Sequence, residues 1–89
     1  MLRLRLTSEI VKVLGDLQTK QFGQVTLKIL PLTQEPRPND SAQLHGYPFL
    51  RVDVGEYRVV YDIDGEDLRI VIVGKRNDDE VYRRLERNG

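Results

Sequence analysis

Two turn signals in the second half of the chain constrain its fold more than any other feature. Residues 49–82 hold three apolar runs rich in valine and isoleucine, separated at Gly55-Glu56 and at Asp64-Gly65. A two-residue loop with glycine first and an Asp-Gly pair are both strong hairpin signals. The segment is therefore predicted to form a three-stranded antiparallel meander.

The register of the meander follows by counting outward from the two loops. If each loop has two residues, Asp53 faces Arg58 in the first hairpin and Ile63 faces Glu66 in the second. Side chains alternate between the two faces of a strand, so each face can be assigned. One face is predicted to be an apolar core that carries Leu50, Val52, Val54, Tyr57, Val59, Tyr61, Leu68, Ile70 and Ile72. The other is predicted to be open and to carry Arg51, Asp53, Arg58, Val60, Arg69, Val71 and Val73.

The rest of the chain supplies one more strand and the helices that cover the apolar face. Alternating leucines and arginines over residues 2–6 predict a half-buried strand. Thr7-Ser8 is a candidate N-cap for the first helix, and residues 33–42 form a polar, proline-rich connector. Helices are predicted over residues 9–17, 19–30 and 78–87. The predicted order is β-αα-βββ-α, an α+β fold in which a helical hairpin packs on one face of a small, mostly antiparallel sheet.

Composition limits the chain to one domain and one broad class. Its 89 residues, 39% hydrophobic and 31% charged, suit a single soluble core, so one domain over residues 1–89 is predicted. The formal net charge of zero argues against a surface that binds nucleic acid everywhere, but it leaves room for a local basic patch. With no leader peptide and no membrane-spanning run in the sequence, the cytoplasm is the expected compartment.

The residue inventory also excludes several kinds of site. Without cysteine the chain has no disulfide framework and no thiolate nucleophile. The acidic residues cluster at turns and at a helix start, without histidine or cysteine partners that would suggest a metal site. No metal and no other cofactor is therefore expected.

Several short segments, taken with the order of elements, point to a known family. They are the EPRP connector, the L-x-G turn at residues 44–46, the hairpin VGEYRVVYDID and the closing VGKRNDDEVY. In this order and spacing they resemble the RelE/ParE toxin superfamily, and most closely the RelE branch of bacterial toxin–antitoxin modules. The resemblance implies a ribosome-dependent endoribonuclease that cuts messenger RNA in the ribosomal A site without a metal. It also implies a cognate antitoxin protein as partner, besides the ribosome and its messenger RNA.

The resemblance also implies which residues form the site. Arg58 matches the family arginine that follows the hairpin tyrosine, and Arg76 matches the arginine of the G-K-R segment. Tyr82 matches the tyrosine six residues later, and Arg51 matches the first of two basic positions on the preceding strand. These four are the predicted catalytic residues, because the reaction needs cations for phosphate charge and a group that can stack on a base or orient a proton.

Contacts to RNA are predicted for Lys75, Arg51 and Asp53, of which Asp53 departs from the family pattern. It stands at the second basic strand position, where members commonly carry lysine or arginine. A carboxylate there would compete with phosphate for Arg58 and repel RNA, so lowered activity is predicted. The alternative is that Asp53, ionised at neutral pH, serves as a general base.

Ordinary structural roles remain open at each of these positions. Asp53 and Arg58 make sense as a cross-strand ion pair, and Arg76 as a solvated loop residue. Tyr82 suits a helix core position, and the single histidine, His45, lies in a turn where a surface role is favoured over catalysis.

Two other functions also remain open at the sequence level. One is a ParE-like inhibitor of DNA gyrase, and the other is a weakened toxin that acts mainly as an antitoxin-binding co-repressor. Arg58, Arg76 and Tyr82 together favour the nuclease, whereas Asp53 and the zero net charge favour the weakened toxin.

Overall fold

A computed structural model of the protein describes residues 1–76 and 80–88. Its elements are β1 (Arg3–Leu6), α1 (Ser8–Asp16), α2 (Thr19–Ile29), β2 (Ala42–Gln43), β3 (Leu50–Val54), β4 (Tyr57–Asp64), β5 (Asp67–Lys75) and α3 (Glu80–Asn88). A 3₁₀ turn, Leu30–Thr33, continues from α2. The predicted order and α+β class are confirmed, and the short β2 is an addition. Asp78 and Asp79, predicted to start the last helix, lie outside the described residues.

The five strands form one sheet in the order β1-β5-β4-β3-β2. β1 runs parallel to β5, and all other neighbouring strands are antiparallel. The prediction of a mostly antiparallel sheet is thereby confirmed. None of the helices in the described ranges has the length and hydropathy needed to cross a membrane.

The first hairpin has the predicted loop and register. Gly55 has a φ of 59°, a left-handed conformation that residues with a Cβ atom rarely adopt. With Gly55-Glu56 as the loop, Asp53 pairs with Arg58 across the strands. Paired residues share a face, so both side chains emerge on the face opposite α1 and α2.

The second hairpin turns one residue later than predicted. Gly65, with a φ of 61°, occupies the first loop position and Glu66 the second. The predicted loop, Asp64-Gly65, is therefore wrong, as is the pairing of Ile63 with Glu66. Ile63 pairs with Leu68 instead. Glycine occupies the first loop position in both hairpins, and in both it has a positive φ.

A β-bulge then interrupts the pairing of β4 with β5. Val60 and Tyr61 are adjacent on β4, but they pair with Ile72 and Ile70 on β5. Val71, which lies between those two isoleucines, therefore has no partner on β4. After this bulge, from residue 72 to the end of β5, the side chains lie on the opposite face from the one that simple alternation predicts.

Two predicted positions on β5 are wrong for this reason. Ile72 lies on the same face as Arg58 rather than in the core under the helices. Val73 lies in that core rather than on the open face. Lys75 shares the face of Val73 and pairs with Tyr57.

The helical hairpin buries the predicted apolar face of the sheet. The Thr7 hydroxyl accepts a hydrogen bond from the Ile10 amide at 3.1 Å, so the predicted N-cap of α1 is confirmed. The main core consists of Ile10, Leu14, Val25, Ile29, Leu32, Val52, Val59, Tyr61, Leu68, Ile70 and Val73. The Tyr61 hydroxyl donates a hydrogen bond to the Pro36 carbonyl at 2.7 Å, which ties the connector to this core.

The opposite face of the sheet, called the α3 face below, carries a second and smaller core. Its buried members are Leu44, Val60, Ile72, Val81 and Leu85. Arg84 Nη1 donates a hydrogen bond to the Val73 carbonyl at 3.1 Å and so also fixes α3 to β5. The face that sequence alternation predicted to be open is therefore partly covered, and the end near the first hairpin loop is left to charged residues.

Candidate functional site

Three arginines donate hydrogen bonds to one carboxylate on the α3 face. Arg58 Nε donates to Asp53 Oδ1 at 2.8 Å, and Arg58 Nη2 donates to Oδ2 at 3.3 Å. Arg51 Nη1 and Arg76 Nη1 donate to the same Oδ2 atom at 3.2 Å and 3.4 Å. Arg51, Asp53, Arg58 and Arg76 are called the arginine cluster below.

The strand register explains why these side chains meet. Arg51 and Asp53 are two residues apart on β3 and therefore share a face, and Arg58 lies directly across from Asp53 on β4. Arg76 follows the last residue of β5, and its amide donates a hydrogen bond to the Glu56 carbonyl at 3.0 Å. This backbone contact fixes Arg76 beside the first hairpin loop, within reach of Asp53.

The arginine cluster holds three positive charges against one negative charge. Partial burial, the largest single influence, would raise the pKa of Asp53, but the hydrogen bond and charge of Arg58, with Arg51 and Arg76, outweigh it and lower the pKa. The pKa of Arg58 is raised, chiefly by its hydrogen bond to Asp53. These shifts keep Asp53 and Arg58 ionised at neutral pH, and the cluster of three arginines and one aspartate has an excess of positive charge.

Tyr82 approaches the arginine cluster from α3. Its hydroxyl interacts with the Arg58 guanidinium and contributes to the raised pKa of Arg58. Its ring lies at a centroid distance of 6.2 Å from the ring of Tyr47, with the two planes inclined at 46°. Both rings pack against the second core. The hydrophobic contacts of α3 thus position a phenol beside the most buried arginine of the cluster.

Lys75 is the one predicted site residue that lies elsewhere. The β-bulge turns it to the face of α1, where it lines a cleft of about 230 Å³ together with Asp16, Gln21 and Glu56. The structure therefore brings together Arg51, Asp53, Arg58, Arg76 and Tyr82, and leaves Lys75 on the opposite face of the sheet.

Tyr47 is a neighbour of the candidate site that sequence reasoning missed. It belongs to the turn that leads into β3, where Gly46 has a φ of 83° and the Tyr47 amide donates to the Leu44 carbonyl at 3.1 Å. Only the folding of this turn over the α3 face brings Tyr47 to Tyr82. No pattern in the sequence marks that contact.

Two further arginine–aspartate groups on the α3 face provide comparisons for the cluster. Arg69 Nε and Nη2 donate to the two carboxylate oxygens of Asp62 at 2.7 Å and 2.5 Å. Arg3 and Arg5 contact Asp67 at 3.0 Å and 3.3 Å. These groups lie nearer β1 and the second hairpin loop, and no tyrosine is described beside them.

The arginine cluster and Tyr82 together form a surface suited to a phosphate. Guanidinium groups match phosphate oxygens with pairs of parallel donors, and the neighbouring phenol offers a ring for stacking and a hydroxyl for proton transfer. His45 lies in the same turn as Tyr47 but is exposed and has no described hydrogen bond to the cluster. Among the described residues no group of three or more histidine, cysteine, aspartate or glutamate side chains is placed to hold a metal ion.

Comparison with known sequences identifies a family. Residues 4–80 match the family described as the ParE toxin of type II toxin-antitoxin system, parDE. A comparison with curated proteins gives no match.

Comparison with solved structures shows the same fold in RelE toxins. The isolated RelE toxin of E. coli is 24% identical with a TM-score of 0.74, covering 99% of this chain and 98% of that chain. The toxin in the intact E. coli RelBE toxin–antitoxin complex is 23% identical with a TM-score of 0.73, covering 86% and 99%. The archaeal RelE–RelB complex from Pyrococcus horikoshii OT3 gives 22% identity and a TM-score of 0.62, covering 86% and 97%. At these identities the similarity establishes the fold.

Proposed function

The chain belongs to the ParE toxin family of type II toxin–antitoxin systems, and on that premise we propose that it is a RelE-type toxin that cleaves messenger RNA in the ribosomal A site. The sequence-based assignment to the RelE/ParE superfamily is confirmed by the family match and by the fold. The observation that carries the proposed activity is the convergence of Arg51, Arg58, Arg76 and Tyr82 on one surface of the sheet.

The proposed reaction is transesterification within the RNA chain. The 2′-oxygen of one nucleotide attacks the adjacent phosphorus and loses its proton to a base. The bond from phosphorus to the 5′-oxygen breaks, and that oxygen takes up a proton. The products are a 2′,3′-cyclic phosphate and a free 5′-hydroxyl, so no water is consumed in this step.

The roles of the side chains follow from their positions. Arg58 and Arg76 would stabilise the extra negative charge on the phosphate oxygens, since Arg58 holds a fixed pair of donors and Arg76 is the most exposed arginine of the cluster. Tyr82 would stack on a base or orient a proton beside Arg58. Arg51 would supply positive charge near the attacking hydroxyl. Asp53 is the cluster's carboxylate and the candidate base of the alternative mechanism.

The proposed partner is a cognate antitoxin. The solved structures similar to this chain include complexes of RelE with RelB, and we propose that a RelB-like protein neutralises this chain. Among the α3 side chains whose burial is described, Val81 and Leu85 are buried against the sheet and Tyr82 packs beside them. A partner segment that buries more apolar surface on the α3 face could therefore displace α3. We place the protein in the cytoplasm, where its ribosomal target is.

Two alternatives each have one observation in their favour. The matched family is named for ParE, which favours a gyrase inhibitor. The four hydrogen bonds that Asp53 accepts from the cluster favour a weakened toxin. The nuclease is preferred because it gives the arginine cluster and Tyr82 a chemical role.

The test is cleavage of a defined messenger RNA by the purified protein, with and without ribosomes that carry the message in the A site. We expect cleavage products only with ribosomes, ending in a 2′,3′-cyclic phosphate. Inhibition of gyrase supercoiling with messenger RNA left intact would instead establish the ParE-like alternative. If expression of the protein without its antitoxin causes no growth arrest, and the purified protein cleaves no messenger RNA, the protein is the weakened toxin.

Substituting Tyr82 with phenylalanine should separate the two roles of this residue. The ring would keep its contacts with Tyr47 and the second core, so the melting temperature should stay within about 3 °C of the unmodified protein. If the hydroxyl takes part in proton transfer, the cleavage rate at saturating ribosomes should fall by about tenfold or more. An unchanged rate would restrict Tyr82 to stacking or packing.

A further inference from the structure

Asp53 occupies the position in the arginine cluster that an oxyanion would be expected to take. Its two oxygens accept the parallel Nε and Nη2 donors of Arg58, the donor pair with which arginine receives a phosphate. Arg51 and Arg76 complete the set of donors around Oδ2. The carboxylate thus uses the donors that the proposed function requires for RNA.

The cluster can nevertheless accept a second anion. Three guanidinium groups share one carboxylate, so positive charge remains when Asp53 is fully bonded. The side chain of Asp53 is 22% exposed and that of Arg76 is 43% exposed, so an anion can approach from solvent. The contact of Arg76 with Asp53 lies at the exposed edge of the cluster, where a carboxylate–arginine contact is weak enough to be exchanged for another anion.

Burial makes the exchange asymmetric within the cluster. The Arg58 side chain is only 16% exposed and is held by two hydrogen bonds to Asp53. Arg76 makes one longer contact to Asp53, at 3.4 Å, and is the most exposed of the three arginines. An incoming phosphate would therefore contact Arg76 first and then compete with Asp53 for the paired donors of Arg58.

We propose that Asp53 is a built-in counter-ion that holds the three arginines together in the free protein and is displaced by a phosphate group of RNA. This inference rests on the proposed function for the identity of the ligand and adds how the site is regulated. While Asp53 is in place, the arginines are spared mutual repulsion, and only a phosphate that is presented at high local concentration replaces the carboxylate. Asp53 thereby weakens binding of free phosphates and of RNA away from the ribosome.

The test uses phosphate binding without ribosomes. Inorganic phosphate is titrated into the purified protein at constant ionic strength while the Nε–H signal of Arg58 is followed by NMR. The dinucleotide ApU, with a single phosphodiester, is titrated in the same way. The variant is Asp53→Asn, which keeps an acceptor oxygen and removes the charge. Asp53→Ser serves as a second neutral variant if the first does not fold.

The chain offers a matched control in Asp67→Asn. Asp67 lies on the same face, its side chain is also 22% exposed, and it contacts two arginines, Arg3 and Arg5. The control therefore changes the net charge equally but leaves the arginine cluster intact. Any difference between the two variants reports on the position of the carboxylate rather than on total charge.

We expect Asp53→Asn to bind both inorganic phosphate and ApU at least about fivefold more tightly than the unmodified protein, and Asp67→Asn to stay within about twofold. Equal phosphate affinities of the two variants would overturn the inference. Weaker phosphate binding by Asp53→Asn would also overturn it, because Asp53 would then only hold the arginines in position and would not compete with phosphate. A gain for inorganic phosphate but not for ApU would overturn RNA as the ligand.

The outcomes also separate this inference from the proposed function. Tighter phosphate and ApU binding by Asp53→Asn, in a protein that cleaves no ribosome-bound RNA, would support the counter-ion and reject the nuclease. Ribosome-dependent cleavage with unchanged phosphate affinity in Asp53→Asn would support the nuclease and reject the counter-ion.

Discussion

Replacing Arg58 with alanine should reduce ribosome-dependent cleavage by at least about 100-fold, because removal of one preorganised donor to a developing negative charge typically costs a factor of 10² to 10³ in rate. Arg58 is the member of the cluster whose position is best defined. It makes two hydrogen bonds to Asp53 and is the least exposed of the three arginines. In the alanine variant, water molecules could not replace the fixed and positively charged pair of donors that the Arg58 guanidinium provides.

The same substitution should have only a modest effect on folding. Asp53 would keep its hydrogen bonds from Arg51 and Arg76, so no unpaired carboxylate would be created. We expect the free energy of unfolding to fall by about 1 kcal/mol, the usual range for a partly exposed ion pair. Primer extension on ribosome-bound messenger RNA measures the first effect, and thermal unfolding followed by circular dichroism measures the second.

Arg69 is the matched control for Arg58. It lies on the same face of the sheet and makes the same two-pronged contact, to Asp62, but it is outside the arginine cluster. Arg69→Ala should retain cleavage within about threefold, since it removes the same charge at a distance from the site. Equal losses in both variants would indicate that bulk charge matters rather than a site, and full activity of Arg58→Ala would exclude the proposed site.

Arg76→Ala should reduce cleavage by less than Arg58→Ala does. Arg76 makes one described side-chain contact to Asp53, at 3.4 Å, and its side chain is largely exposed. A solvated arginine of this kind retains more freedom and loses less preorganised stabilisation on removal. A larger loss in Arg76→Ala than in Arg58→Ala would reverse the roles proposed for the two residues.

Local signals were sufficient to predict the first hairpin and, with it, most of the site. A glycine-first loop fixes the register of a two-residue turn, and that register places Asp53 opposite Arg58. Arg51 follows from alternation along the same strand. The contact of Arg76 with Asp53 depends on how the chain leaves β5, so the family resemblance predicts it and counting along the strands does not.

The errors in the second hairpin have unequal consequences for a physical reason. Turning at Gly65-Glu66 moves the partner of Ile63 by two positions, from Glu66 to Leu68. A shift of two positions preserves the face of every side chain, so Leu68 and Ile70 were still placed correctly in the core. The bulge adds a single residue, and a shift of one exchanges the faces.

The bulge and the second core could not have been predicted from the chain alone. Residues 70–73 are all β-branched aliphatic, so no polar residue marks which side of β5 faces solvent. The pairing of Tyr47 with Tyr82 depends in addition on a loop and a helix that meet only in the folded protein. The family resemblance predicts Lys75 at the site, but the bulge moves this residue to the other face.

Substituting Val73 with lysine should unfold the protein at room temperature or lower its melting temperature by at least about 20 °C. Val73 is 1% exposed and belongs to the main core under the helices. A lysine there would bury an ammonium group without a partner, at a cost of several kcal/mol, against a total stability of about 5–15 kcal/mol for a domain. Simple alternation along β5 would instead place this residue on the open face and predict little effect.

Val71 provides the control that makes this a test of the bulge. It is half-buried, lies at the interruption in pairing and packs beside the second core, so a lysine stem there can lie along apolar surface with its charge in water. Val71→Lys should therefore lower the melting temperature by no more than about 5–8 °C, a change of about 1 kcal/mol. Thermal unfolding of the two variants by circular dichroism compares them directly. Similar, mild effects in both variants would contradict the bulge and place Val73 on the open face. Simple alternation puts Val71 and Val73 on the same face, so the two variants should differ in stability only if the bulge moves Val73 to the core.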